Sequence, residues 1–123
     1  MSRLLKFTAI IETATGLGLI AVPAIVVRLL LGAEISGASI SLGRVAGAAL
    51  LALGIACWLA RDDSQSRAAR GLVVAMLMYN IVATAVLAFA GIGLGLHGVA
   101  LWPAVVLHAA MAVWCGACLR RSS

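Results

Sequence analysis

The sequence predicts an all-α integral membrane protein, a four-helix bundle with a short interfacial helix after the first span. The 123 residues are 64% hydrophobic and only 11% charged, with a mean hydropathy of +1.17, whereas soluble domains contain about 25% charged residues. The apolar residues form four long runs, and most of the cations lie at the ends of these runs. Because about 20 apolar residues cross the hydrocarbon core of a bilayer, the runs predict four spans in a single membrane domain, residues 1–123.

The first predicted span covers residues 4–22, which at 1.5 Å per residue is about 28 Å long. Glu12 in the middle of this apolar segment argues against a cleaved signal peptide. Pro23 lacks an amide N–H and has a fixed φ, so it favours the first turn of a new helix. We therefore expect an interfacial helix over residues 23–31, with Arg28 among the lipid headgroups. The alternative is one kinked helix through both segments.

The remaining spans are predicted from three further apolar runs, at residues 39–60, 68–90 and 99–119. A polar turn precedes the third span, and Asp63 or Ser64 is expected to cap its helix. Four glycines between residues 91 and 98 predict a loose loop around a solvated His97. Pro103 falls in the first turn of the fourth span, where proline is tolerated.

The distribution of cations predicts the orientation in the membrane. Seven of the nine Lys and Arg residues lie at the N-terminus, in the loop between the second and third spans, and at the C-terminus. Because cytoplasmic loops carry an excess of Lys and Arg, both termini are expected in the cytoplasm. The cations lie at helix ends and leave no basic surface that follows a phosphate backbone, so we expect no nucleic-acid binding.

One polar residue within each predicted span contributes to the candidate site: Glu12, Arg44, Asn80 and His108. Counted from the cytoplasmic helix ends at 1.5 Å per residue, Glu12 lies at about 12 Å, Asn80 at about 15 Å and His108 at about 16 Å. Arg44 lies higher, at about 24 Å, with a side chain long enough to extend towards Glu12. An isolated charge at this depth is unfavourable, so Glu12 is expected to face partners or to be protonated. His108 can change charge near neutral pH, and Asn80 can both donate and accept hydrogen bonds.

This group of residues has two interpretations. In the first, Glu12 and Arg44 form an ion pair within a polar network that sets the helix register. In the second, the network lines a cavity for a ligand headgroup or a proton-linked substrate, with Thr15 and Tyr79 as secondary contacts. Because the pattern fixes helix rotation only loosely, the sequence leaves open whether these side chains converge and whether Glu12 is ionised.

Small residues on the second span predict a close helix crossing. Ser39, Gly43 and Gly47 recur every fourth residue, a spacing that lets helix backbones approach each other in lipid. Such a surface is used either within one bundle or between two copies in a homodimer.

Cys115 and Cys118 have the CxxC spacing of redox-active thiols. A reducing cytoplasm disfavours a stable disulfide, and buried cysteine also packs as a small hydrophobic residue. No second CxxC or suitably spaced histidine accompanies them, so no metal site is expected. Phosphate-binding loops, zinc-protease motifs and nucleophile elbows are also missing from the sequence, so none of the corresponding enzyme classes is indicated.

Three segments form a recognisable order: Thr15-Gly16-Leu17-Gly18 in the first span, a Pro23-led segment ending in Leu29-Leu30-Leu31-Gly32, and Gly43-Arg44 in the second span. This order is similar to that of the DoxX-like group of small bacterial four-helix membrane proteins. Since some members are associated with quinone-linked redox complexes, the resemblance implies an accessory subunit or a quinone-pocket protein. It assigns no catalytic residue to this chain.

Glu12 in the first of four short helices also resembles the essential glutamate of the small multidrug transporters. That resemblance implies a proton-coupled mechanism. The asymmetric loop charges and the presence of Arg44 depart from that family's pattern.

The expected function is therefore that of a non-enzymatic multi-pass protein. It would bind a small amphipathic ligand, of lipid or quinone type, or a partner subunit, through the intramembrane polar site. Two alternatives stay open: a dimeric proton-coupled transporter with Glu12 as the proton and substrate site, and a quinone-linked redox subunit that uses Cys115 and Cys118. The sequence leaves the ligand and the oligomeric state undecided.

Overall fold

The computed structural model describes residues 1–121, which form five α-helices and no β-strand. Four of the helices are long and apolar enough to cross a membrane, and the remaining helix, the second in the chain, is short. Their bounds are α1 Ser2–Ala21, α2 Pro23–Leu31, α3 Ala38–Ala60, α4 Arg67–Ile92 and α5 Leu101–Arg121. The predicted all-α membrane four-helix bundle with a short helix after the first span is thus confirmed.

A sharp break separates α1 from α2. Val22, between them, has φ −136° and ψ 57°, outside the helical range, and Pro23 is the first residue of α2. The alternative of one kinked helix is therefore wrong. Gly32 ends α2 in the left-handed conformation, with φ +67° and its N–H donated to the Arg28 carbonyl over 2.8 Å. Left-handed backbone of this kind is accessible to glycine without strain.

Helices α1 and α3 cross with their backbones in contact. A Cβ atom added to Gly16 would lie 2.6 Å from the Gly47 carbonyl oxygen, and one added to Gly54 would lie 2.9 Å from the Thr13 amide nitrogen. No side chain larger than hydrogen fits at these positions. The small residue Gly47 of α3 is therefore used within the bundle, against α1.

Helices α4 and α5 form the second close pair. Gly91 lies within α4, buried against the Trp102 ring of α5. The following segment is not the loose loop that the sequence predicted. Gly98 packs directly against the backbone of Leu30 in α2, and the Ala100 N–H donates to the Leu29 carbonyl over 2.8 Å. The connection between α4 and α5 is thereby attached to α2, while His97 is exposed as expected.

Helix α4 is capped by a different residue from those predicted. The Ser66 hydroxyl accepts a hydrogen bond from the Ala69 N–H at 3.1 Å, and Ser66 has the extended backbone of an N-cap. The expectation of Asp63 or Ser64 is wrong because the helix begins at Arg67, so only Ser66 is in the N-cap position.

The two helix pairs pack together most tightly near the end of the bundle that contains both chain termini, called here the terminal end. The core there includes buried residues from all four long helices: Leu4, Leu5, Ala9, Cys57, Ala69, Val73, Met76, Met111 and Cys115. Further along, α2 lies over the space between the pairs, and this space contains the candidate site.

Candidate ligand cavity

Asn80 of α4 and His108 of α5 form a hydrogen-bonded pair between the helices. Asn80 is buried, and its Nδ2 donates to the Met76 carbonyl oxygen one turn earlier, at 2.8 Å. Since a carbonyl only accepts, this contact places the amide oxygen towards α5. His108 Nδ1 lies 2.8 Å from Asn80 Oδ1 and is therefore the donor. The sequence placed Asn80 and His108 at a similar depth and left their convergence open, and the structure brings the two side chains into contact. Nε2 is the ring nitrogen left for other partners.

Tyr79 holds the other side of the histidine ring. The rings of Tyr79 and His108 meet edge to face, with centroids 5.5 Å apart and an interplanar angle of 84°. Thr84 donates its hydroxyl to the Asn80 carbonyl oxygen at 2.7 Å, so its hydrogen bond stays within α4. His108 is thus oriented by a hydrogen bond and an aromatic contact, both from α4.

Glu12 of α1 faces the same region across a cavity of about 250 Å³. The residue is 4% exposed and forms no hydrogen bond or ion pair with any residue in the described part of the chain. Thr15, Tyr79 and His108 line this cavity together with Glu12. The remaining lining residues are aliphatic: Ile11, Val26, Leu29, Leu30, Leu87, Ala100, Ala104 and Leu107. We call this space the Glu12 cavity.

A second cavity of about 260 Å³ adjoins the first on the side of α3. Thr15, Tyr79 and His108 line both spaces, whereas Glu12 lines only the first. Val26 and Leu30 of α2 also line both. The polar residues therefore lie where two spaces between the helix pairs meet under α2.

The role of α2 as a wall of this site was not predicted. The sequence contained a signal for it, because Val26, Leu29 and Leu30 are spaced as i, i+3 and i+4 and so share one helix face. The predicted interfacial position of α2 was based instead on Arg28. This residue is exposed, and its Nε lies 2.7 Å from Glu34 Oε1.

Arg44 does not join the site. It is exposed on α3 and has neither an ion pair nor a hydrogen bond with another described residue, so the interpretation in which Glu12 and Arg44 form an ion pair is wrong. Gly43 faces Pro23, and Gly47 faces α1. Consecutive helical residues are about 100° apart around the axis, and the orientation that directs Gly43 towards Pro23 and Gly47 towards α1 turns Arg44 outwards.

The cysteines lie in or against the core near the terminal end, and none of them lines either cavity. Cys57 and Cys115 are buried, Cys118 is half-buried, and all three are free thiols. Within residues 1–121, no group of three His, Cys, Asp or Glu side chains has a geometry that could hold a metal ion. A redox role of Cys115 and Cys118 stays a prediction.

Comparisons with protein-family models, with curated proteins and with solved structures found no match to this chain. The resemblances to DoxX-like proteins and to small multidrug transporters therefore stay predictions from the sequence. The chain has the geometry of a multi-pass membrane bundle with a polar-lined cavity between its two helix pairs.

Proposed function

We propose that this protein binds the polar head of a small amphipathic molecule, of lipid or quinone type, in the Glu12 cavity. One observation supports this proposal above the others. A buried carboxyl group without a protein partner lines a largely aliphatic cavity, directly beside an oriented imidazole. Polar groups inside a membrane protein are unfavourable unless they have partners or a function, and a bound polar head would supply the missing partner.

The dimensions and chemistry of the cavity suit a ring-sized head. A protein cavity of roughly 150 Å³ holds benzene, so about 250 Å³ accommodates a substituted six-membered ring. With its Nδ1 proton donated to Asn80, a neutral His108 offers Nε2 as an acceptor for a ligand hydroxyl. Tyr79, Thr15 and a protonated Glu12 are potential donors to a ligand carbonyl. A few polar groups in an apolar pocket are typical of small-molecule sites.

The test is to fill the cavity without changing its polar groups. Ala104 lines the cavity from α5, so Ala104→Leu reduces the space, while Ala110→Leu adds the same atoms on the exposed surface of that helix. We expect a lipid or quinone in mass spectra of organic extracts of the native protein and of Ala110→Leu, and its loss from Ala104→Leu. Added short-chain benzoquinone should raise the melting temperature of the native protein and of Ala110→Leu, and leave that of Ala104→Leu unchanged.

The proposal would be contradicted by extracts of the native protein that repeatedly contain no bound small molecule, together with no thermal shift from the benzoquinone. Equal retention of a ligand by Ala104→Leu and the native chain would place that ligand outside the Glu12 cavity. Both variants should first show the native helical circular dichroism in detergent, so that a lost ligand reports on the cavity.

The proposed location is a bacterial inner membrane with both termini in the cytoplasm. The seven cations near the termini and in the loop between α3 and α4 support this orientation. A green fluorescent protein joined to the C-terminus should be fluorescent, and an alkaline phosphatase at the same position should be inactive. The reverse pattern would overturn the orientation.

A second candidate is a dimeric proton-coupled transporter, which the unpartnered, buried Glu12 also favours. This function predicts that a pH gradient drives uptake of a fluorescent cation such as ethidium into liposomes, and that Glu12→Gln abolishes it. The binding function predicts no such uptake by the native protein. The two candidates are therefore separated by one flux measurement.

A further inference from the structure

A separate pocket lies at the terminal end of the bundle and has no part in the Glu12 cavity or in the cavity that adjoins it. It has a volume of about 500 Å³ and lies between the start of α1, the end of α5 and the loop before α4. Arg3, Gln65, Trp114 and Arg121 are among its lining residues. A smaller groove of about 290 Å³, lined in part by Arg67, adjoins it at Gln65.

Positively charged residues line this pocket and the adjoining groove. Among the residues that the structure describes, no acidic side chain lines either space. Among the described residues, Arg3 and Arg121 have no ion-pair partner. By contrast, Arg28 pairs with Glu34 and Arg61 pairs with Asp62. Within the described part of the chain, Arg3 and Arg121 therefore have no counter-ion of the kind that Arg28 and Arg61 have.

The pocket is also amphipathic along the bundle axis. Trp114 precedes Arg121 by two helical turns, so it lies about 10 Å deeper in the bundle. Its ring is 5.9 Å from the ring of Phe7 on α1, and both side chains are exposed on the outer surface. An arginine rim above an aromatic surface is suited to a molecule with an anionic head and an apolar tail.

We propose that this pocket binds an anionic phospholipid, with its phosphate between Arg3 and Arg121 and an acyl chain along Trp114 and Phe7. Arginine forms bidentate hydrogen bonds with phosphate oxygens, and basic pockets between membrane helices are known sites for anionic headgroups. This pocket is separate from the Glu12 cavity. The phospholipid proposal can therefore be refuted while the proposed function is supported, and the proposed function can be refuted while the phospholipid proposal is supported.

The test uses Trp114 as the reporter. In a Trp58→Phe, Trp102→Phe background, Trp114 is the remaining tryptophan, and lipids with brominated acyl chains quench it when they lie against it. In mixed micelles we expect brominated phosphatidylglycerol to reach half-maximal quenching at about 25-fold lower concentration than brominated phosphatidylcholine. This factor follows from about fivefold for each arginine near an anionic lipid surface.

A matched pair of variants separates the pocket from the general surface charge. Arg3→Gln, Arg121→Gln removes the two rim charges, whereas Lys6→Gln, Arg120→Gln removes two exposed charges from the same helices outside the pocket. We expect the first to abolish the preference for phosphatidylglycerol and the second to keep it. The single variant Arg121→Gln should lose about fivefold, from one missing cation.

Three results would overturn the proposal. The native background could show equal quenching by the two lipids. The two double variants could lose the preference equally, which would indicate only surface charge. Inorganic phosphate at millimolar concentration could displace the brominated phosphatidylglycerol, which would indicate a site for free phosphate. We expect inorganic phosphate to leave the quenching unchanged, because it lacks the acyl chain that contacts Trp114.

Discussion

The replacement of Gly47 by alanine tests the crossing of α1 and α3, which sets the position of Glu12. The added Cβ would lie 2.7 Å from the Gly16 carbonyl oxygen, 2.8 Å from the Leu19 Cβ and 3.0 Å from the Ile20 amide nitrogen. Two of these atoms belong to the backbone, so no side-chain rotation relieves the overlap. Carbon–oxygen contacts normally begin at about 3.3 Å, so the helices have to separate by roughly 0.6 Å.

The energetic consequence follows from this separation. A gap of 0.5–1 Å removes roughly a quarter to a half of the dispersion energy of each contact it opens, and overpacking of this kind usually costs about 1–3 kcal/mol. Since the nearest partner is a backbone oxygen and the Leu19 Cβ is fixed directly to the backbone, we take the upper part of that range. Alanine is a better helix former than glycine by about 1 kcal/mol, which offsets part of the loss. We expect Gly47→Ala to lower the free energy of unfolding by about 1–2 kcal/mol.

The assay is unfolding by sodium dodecyl sulfate from mild detergent, followed by circular dichroism. Gly71→Ala on α4 is the control, because a Cβ at Gly71 has no neighbour within 4 Å; it should be neutral or stabilising by up to about 1 kcal/mol. The double variant Gly16→Ala, Gly47→Ala should cost less than the sum of the single variants, since one separation of the helices serves both. If Gly47→Ala is as stable as Gly71→Ala, the two helices do not touch at this point and the reasoning fails.

Three further predictions use the same unfolding assay or hydrogen exchange. Asn80→Leu should lose about 1–2 kcal/mol because the His108 Nδ1–H loses its acceptor, and adding His108→Phe should recover most of the loss; strict additivity would refute the hydrogen bond. Ser66→Ala should cost about 1 kcal/mol through loss of the helix cap, whereas an equal effect of Ser64→Ala would contradict the assigned cap. Gly98→Ala should push the loop off α2 and speed amide exchange in α2; unchanged exchange would show that the contact does not hold α2 in place.

The sequence by itself determined the number, type and approximate bounds of the helices. In lipid every backbone N–H and C=O has to be satisfied within the protein, so an uninterrupted apolar run of sufficient length is a helix without further information. Pro23 marked the break between α1 and α2 for an equally local reason, its missing N–H and fixed φ. Depth followed from the constant rise per residue, and this placed Asn80 and His108 in one layer before their hydrogen bond was known.

Rotation about each helix axis was decided only by the tertiary structure. Glu12 and Arg44 lie on neighbouring helices. The arginine side chain is long enough to cross the difference in their depths, so the sequence was compatible with an ion pair between them. The backbone contact of Gly16 with Gly47 instead turns Arg44 outwards, while Glu12 faces a cavity that α2 helps to enclose. A helix whose residues are apolar on all sides has no strong preference for one face, so its rotation depends on close packing with its neighbours, and that packing involves residues far apart in the chain.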